Sequence, residues 1–185
     1  MSVVTMQRIP TISHEQYERE QYRQRSGAAD VWVLLDEVKD PEIPVLSIWD
    51  LGILRDIQIQ GEQVIVTITP TYSGCPAMDV IREDIEAILH ANGVKNCAVK
   101  TQLSPAWTTE WMTSQGRSQL RDYGIAAPDD IADYDKGSLT PESQVRCPHC
   151  GSRLTKRVSE FGSTACKSLF QCDSCLEPFD FFKNI

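Results

Sequence analysis

Two Cys-x-x-Cys pairs near the end of the 185-residue chain, "CPHC" (Cys147, Cys150) and "CDSC" (Cys172, Cys175), constrain its fold more than any other feature. Each pair lets both sulfurs of one tight turn reach a single ion, and two such turns supply the four ligands of a tetrahedral site. The 21 residues between the pairs hold two strand-like runs, "RLTKRVSE" and "ACKSLFQC", around Phe161-Gly162. A segment of roughly 40 residues does not bury enough apolar surface to fold alone, so a metal staple is expected.

Knuckle, hairpin, knuckle is the layout of a zinc ribbon, and structural Zn2+ is the first expectation for this module. Four thiolates also suit an iron–sulfur cluster, and disulfides are the remaining alternative. His149 lies inside the first knuckle, but four sulfurs already complete the site. Cys166 lies six residues before Cys172. Along a continuous strand that is roughly 20 Å, too far for the same ion. It is read as a small residue on the inner face of the hairpin or as a thiol used at a partner surface.

Seven cysteines in a chain without a secretory h-region point to a cytoplasmic, reducing setting and to metal binding or reactive thiols. Apolar residues make up 41% of the chain, enough for a core, yet no apolar run is long enough to span a membrane. A net charge of −8 argues against general nucleic-acid binding. Locally, five basic residues face one acid from Val145 to Lys167, but four thiolates on one Zn2+ would cancel about half of that bias. From Pro128 to Glu142 five acids face one lysine, the composition of a solvated linker.

The expected organisation is a polar segment over 1–27, an α/β (α+β) domain over 28–103, a tryptophan-containing helix over 104–124, an acidic linker over 125–144 and the four-cysteine ribbon over 145–185. The first segment, rich in Gln, Glu and Arg, reads as frayed helix or disorder. Val31, Leu34, Leu35 and Val38 form one helical stripe. "RDIQIQGEQVIVTIT" reads as a hairpin about Gly61-Glu62. Met78, Ile81, Ile85, Ile88 and Leu89 give the clearest amphipathic helix, stopped by Asn92-Gly93. "VKNCAVKTQL" then alternates as a third strand, which completes a compact α-β-β-α-β unit.

Cys75 stands apart from the paired cysteines, in "TYSGCPAMDV". With Pro76 as the first helical residue, Cys75 would be the cap of the amphipathic helix. Free N–H groups and the helix dipole at such a site favour thiolate and lower the pKa. The competing reading is an ordinary buried cysteine, which is preferred for Cys97 in the third strand. Asp40, Glu42 and Asp50 crowd the loop "DPEIPVLSIWDLG", either as hard metal ligands beside Cys75 or as loop caps and turn formers.

Taken together, "DPEIPVLSIWDLGIL" and "VTITPTYSGCPAMDVI" resemble the MIP18 family, also called DUF59, over roughly Val31 to Leu103. The resemblance implies the α/β fold and a role in iron–sulfur cluster assembly. It places the family's usual cysteine on Cys75 and its acidic element on Asp40 and Glu42. Farther on, "SPAWTTEWMT", "RCPHC" and "SEFGSTACKSLFQCDSCLEPFDFFK" resemble the PaaD-type subunit of the phenylacetyl-CoA ring epoxidase system. Relatives in that family often carry a cysteine near the extreme C-terminus, where this chain has Asn184.

That resemblance implies an accessory protein that helps assemble or repair the metal sites of the epoxidase complex. Its partners would be the subunits of that complex, and its cargo transient iron or an iron–sulfur cluster. One free thiolate per chain implies that a homodimer or the client completes the coordination. The residues agree independently with a non-catalytic role. The chain has no Glu-x-x-His of a carboxylate-bridged di-iron site, no GxGxxG and no P-loop. A non-catalytic adaptor is the alternative, and thiol-redox chemistry at the CxxC pairs would conflict with tight metal occupancy.

Overall fold

The strand run 63–68 is apolar on consecutive positions rather than alternating ones, which marks a strand covered on both faces. In the computed structural model, which describes residues 12–130 and 145–185, this run is β2 (Gln63–Ile68), the centre of a three-stranded sheet. It pairs antiparallel with β1 (Leu54–Gln60) through the Gly61 turn and parallel with β3 (Asn96–Thr101). A parallel return needs a crossover, and the amphipathic stripe provides it as α3 (Ala77–Ala91). Met78, Ile81, Ile85 and Leu89 are buried there, each removal from water contributing about 1.5–3 kcal/mol. Gly93, at φ +86°, closes the helix with its N–H on the His90 carbonyl. α2 (Ala29–Leu35) buries Val31, Trp32 and Leu35 against the same core. The α-β-β-α-β unit expected from the sequence is therefore present.

Within the polar N-terminal segment, residues 14–25 form a helix. Ser13 caps α1 (His14–Arg25) by accepting from the Gln16 N–H. α1 packs through cations rather than apolar side chains. Arg19 stacks 4.4 Å from the Trp49 ring centre and donates to the carbonyls of Trp111 and Leu54. Arg23 lies 4.9 Å from the Trp49 ring and pairs with both oxygens of Asp36. Burial lowers the Arg19 pKa to about 10.

The expected tryptophan helix is two shorter pieces. A single 3-10 turn covers Thr109–Trp111, and α4 (Ser114–Asp122) follows, capped by Thr113. Trp107 and Trp111 precede α4 and are buried. "SPAW" holds a proline just before Trp107, and that start suits an extended entry better than a helix.

The ribbon contains three antiparallel strands, one more than the spacing suggested: β4 (Thr155–Ser159), β5 (Lys167–Cys172) and β6 (Pro178–Phe182). Phe170, Phe179 and Phe181 form its small core with Val145, Cys147, Cys172 and Ala126. The ribbon is not a tethered module. Phe182 and Cys166 belong to the larger core, and Phe182 packs on Trp107. The residues straight after Gly124 are also docked: the Ala126 N–H donates to Asp180 and its carbonyl accepts from Phe182. Of the expected acidic linker, residues 125–130 are described: Ile125, Ala126 and Ala127 are buried, and Pro128–Asp130 form a 3-10 turn in which Asp129 meets Arg121. Its residues 131–144, like residues 1–11, lie outside the described residues.

Candidate metal sites

The ribbon sulfurs converge. Cys147 and Cys175 are 3.8 Å apart and Cys150 and Cys172 3.6 Å, with all four sulfurs within 4.8 Å of one another. Zn–S bonds of about 2.3 Å place tetrahedral sulfur–sulfur edges at about 3.8 Å, whereas a disulfide would require about 2.05 Å. The four residues therefore fit a metal ion and are unbridged. Each knuckle is built alike, with the residue after its second cysteine in the left-handed region: Gly151 at φ 74° and Leu176 at φ 65°. Their N–H groups return to the carbonyls of Cys147 and Cys172.

Backbone amides already treat one sulfur as an anion. The Cys175 N–H, and then that of Ser174, hold the Cys172 thiol down at about 6 against the effect of burial. Cys175 receives the Glu177 N–H, but burial and hydrogen bonding with the other three sulfurs push it up to about 12. Four thiolates so close are not all stable without a cation between them. His149 and Cys166 lie outside this group.

The second cluster surrounds Cys75. The helix begins one residue later than expected, with Pro76 at the cap, and the Cys75 sulfur accepts from the Ala77 N–H. The expected depression of its pKa is not found. Burial of the half-exposed thiol outweighs that one amide, and the charges of Glu42, Asp40 and Cys166 push it further up. Without a cation the sulfur is a thiol.

Asp40 is buried and bends the loop by accepting the N–H groups of Glu42 and Ile43 at 2.9 and 2.8 Å. Burial raises its pKa, against those two bonds and the charge of Lys167. Glu42 is raised by burial and by Asp40, against Lys167 and a hydrogen bond from Thr164. Asp50 belongs elsewhere, since its two oxygens accept from the Thr113 and Ser47 hydroxyls at 2.6 and 2.7 Å. It clamps loops, as the structural alternative held.

Three participants in the Cys75 cluster come from the ribbon and were not legible as such. Thr164 hydrogen-bonds both the Cys166 sulfur, at 3.0 Å, and Glu42. Cys166 is buried and shares the electrostatic surroundings of Cys75, with its own pKa raised by burial above all. Lys167, 3% exposed, lies 3.7 Å from Asp180 and acts on Asp40, Glu42 and Cys166. Tyr72, from the lead-in to α3, hydrogen-bonds Cys75.

Residues 28–100 match the iron–sulfur cluster assembly protein family and residues 132–183 the PaaD zinc beta ribbon domain family. An Escherichia coli (strain K12) protein named as a subunit of 1,2-phenylacetyl-CoA epoxidase is 47% identical over 97% of this chain and 100% of its own length. A Porphyromonas gingivalis (strain ATCC BAA-308 / W83) Fe-S protein maturation auxiliary factor is 33% identical over 49% of this chain and 88% of its own. Among solved structures, a DUF59 domain from Bacillus anthracis aligns with TM-score 0.47 at 25% identity, covering 56% of this chain and 95% of that one. A conserved protein from Thermotoga maritima aligns with TM-score 0.44 at 33% identity, covering 51% of this chain and 94% of that one. No helix among the described residues is long and apolar enough to cross a membrane. With near-complete alignment to the first relative and both of its modules matched in order, the chain belongs to the PaaD-type family, an iron–sulfur-assembly (DUF59) domain joined to a zinc ribbon.

Proposed function

We propose that this chain is a non-catalytic maturation factor for a phenylacetyl-CoA epoxidase, helping to load an iron–sulfur or di-iron site in a partner subunit. The observation that carries the reading is the Cys75 cluster: a half-buried thiol at the mouth of α3 shares its surroundings with Asp40 and Glu42. A thiol held neutral by burial and by two carboxylates lacks a cation. A ferrous ion supplies that charge, and binding releases the thiol proton to solvent. The names of the two relatives, one an epoxidase subunit and one an Fe-S maturation factor, support the same client class.

The ribbon holds a resident metal, which we assign as structural zinc. All four sulfurs lie within 4.8 Å of one another, which suits one ion, whereas a cluster spreads its four cysteines over two or more irons. When bound, the zinc stabilises both knuckles and keeps β5 and β6 against the larger core.

A purely structural adaptor is the second reading, favoured by the shared core between ribbon and domain. Cys75→Ala separates the two. The maturation reading expects epoxidase isolated from cells carrying this variant to be assembled but deficient in iron. Full iron content in that complex would leave only the adaptor.

A further inference from the structure

Cys166 is buried at the start of β5, takes no part in the ribbon metal site, and faces the cluster around Cys75. Cys166 is a member of the larger apolar core, yet its sulfur also has polar and charged neighbours that packing for volume does not require. It has the Thr164 hydroxyl at 3.0 Å, the Glu42 carboxylate one hydroxyl away, Asp40 within its field and the Lys167 ammonium on the next residue. Tyr72 completes the surround, acted on by both thiols and by Glu42. Two thiols, a carboxylate and a second acid thus lie within electrostatic reach of one another where the domain and the ribbon touch. Cys75 is half-buried rather than sealed, and Gly74 beside it has nothing within 4 Å of where a side chain would start.

We propose that Cys75 and Cys166, with Glu42, form one transition-metal site shared between the two modules, with the ribbon supplying the second sulfur. The proposal rests on reading Cys75 as the metal-handling thiol and adds its partner from within the same chain. A divalent first-row ion of the ferrous or zinc type suits two thiolates and a carboxylate. On binding, each thiol loses its proton to solvent as its sulfur–metal bond forms, and no electron is transferred. The ion and Lys167 offset all but about one of the four negative charges of the two thiolates, Glu42 and Asp40.

Among the described residues the ribbon cysteines alone form a group of three or more donors already placed to hold an ion. The Cys75–Cys166 site must therefore close on its ion, with Glu42 exchanging Thr164 for metal. A site that is not closed in advance suits cargo, whereas the ribbon's suits a resident ion.

Cobalt(II) titration of the full-length protein under anaerobic conditions, with the ribbon zinc retained and measured, tests this. Sulfur-to-cobalt absorption expected from two thiolates should fall to about half in Cys166→Ser and in Cys75→Ser, and vanish in the double variant. Wild-type intensity and affinity in Cys166→Ser would overturn the shared site while leaving Cys75 as a ligand. No cobalt uptake beyond the ribbon by the wild type would remove the Cys75 reading as well. A second measurement avoids mutation: dibromobimane, which becomes bridged only between neighbouring thiols, should link the Cys75 and Cys166 peptides of the zinc-loaded protein. Mass spectra containing only singly attached reagent would overturn the proposal even if Cys166→Ser were poorly folded.

Discussion

The Trp107 ring lies 5.9 Å from that of Phe182, centre to centre, while its indole N–H donates to the Leu51 carbonyl at 3.1 Å. One side chain thereby joins the loop before β1 to the last strand of the ribbon. Phe182→Ala is expected to cost about 3–5 kcal/mol. It should also split a single thermal transition into two, followed by calorimetry, because the ribbon would lose its principal apolar anchor.

Gly52 sits at φ +81°, and a Cβ there would meet the Trp111 backbone carbonyl and Cβ at 2.8 Å. The obstruction is main chain, so it does not swing away. Gly52→Ala should lose at least about 2 kcal/mol in denaturant unfolding, combining the left-handed penalty with displacement of Trp111.

Leu176 occupies the position that Gly151 fills in the other knuckle, with the same left-handed backbone but an exposed side chain. A non-glycine residue there costs about 1–2 kcal/mol, partly offset by the greater chain entropy of glycine. Leu176→Gly should therefore leave stability unchanged or raise it by about 0.5 kcal/mol, read as the melting temperature at fixed zinc.

Removal of the ribbon metal by a chelator should unfold β4 to β6, since four uncompensated sulfurs and three phenylalanines do not hold so small a sheet. Because Phe182 covers Trp107, the loss should appear as a red shift in tryptophan emission as well as in the circular dichroism. Restoring about one zinc per chain should reverse both signals.

The Tyr22 hydroxyl donates to Asp56, and this bond, followed by burial and the Asp56 charge, pushes its pKa up to about 12 from 10.0. A folded value above the unfolded one means the bond's contribution is fully present below pH 10. It is lost as the pH rises through about 12. Tyr22 is half exposed, so the contribution is below about 1 kcal/mol. Ultraviolet titration should show a late tyrosinate component that disappears in Tyr22→Phe.

The features legible in the sequence were those determined by near neighbours. Spacing alone places Cys147, Cys150, Cys172 and Cys175 together, and the period of Met78, Ile81, Ile85 and Leu89 places Cys75 at a helix mouth. What depended on distant parts of the chain was not legible. The rise in the Cys75 pKa comes from burial and from acids some thirty residues upstream, which a local amide argument does not include. Cys166 and Lys167 meet Asp40 and Glu42 only because Phe182 and Ala126 pin the ribbon to the domain. α1 reads from sequence as frayed helix or disorder because its anchors are Arg19 and Arg23, whose partners Trp49 and Asp36 no hydrophobic periodicity reveals. The β6 strand was hidden by "EPFDFF", where an acid and a proline precede the aromatic run and Asp180 interrupts it.

Ala126 bonds Asp180 and Phe182 on either side of Phe181, so the chain leaving the first domain serves as an outer neighbour of β6. Dividing the polypeptide between Gly124 and Ile125 to prepare the ribbon by itself would retain that neighbour, but cutting after Ala127 would strip it away. The second fragment would expose an aromatic strand margin open to pairing with other copies, and it should precipitate even when saturated with zinc.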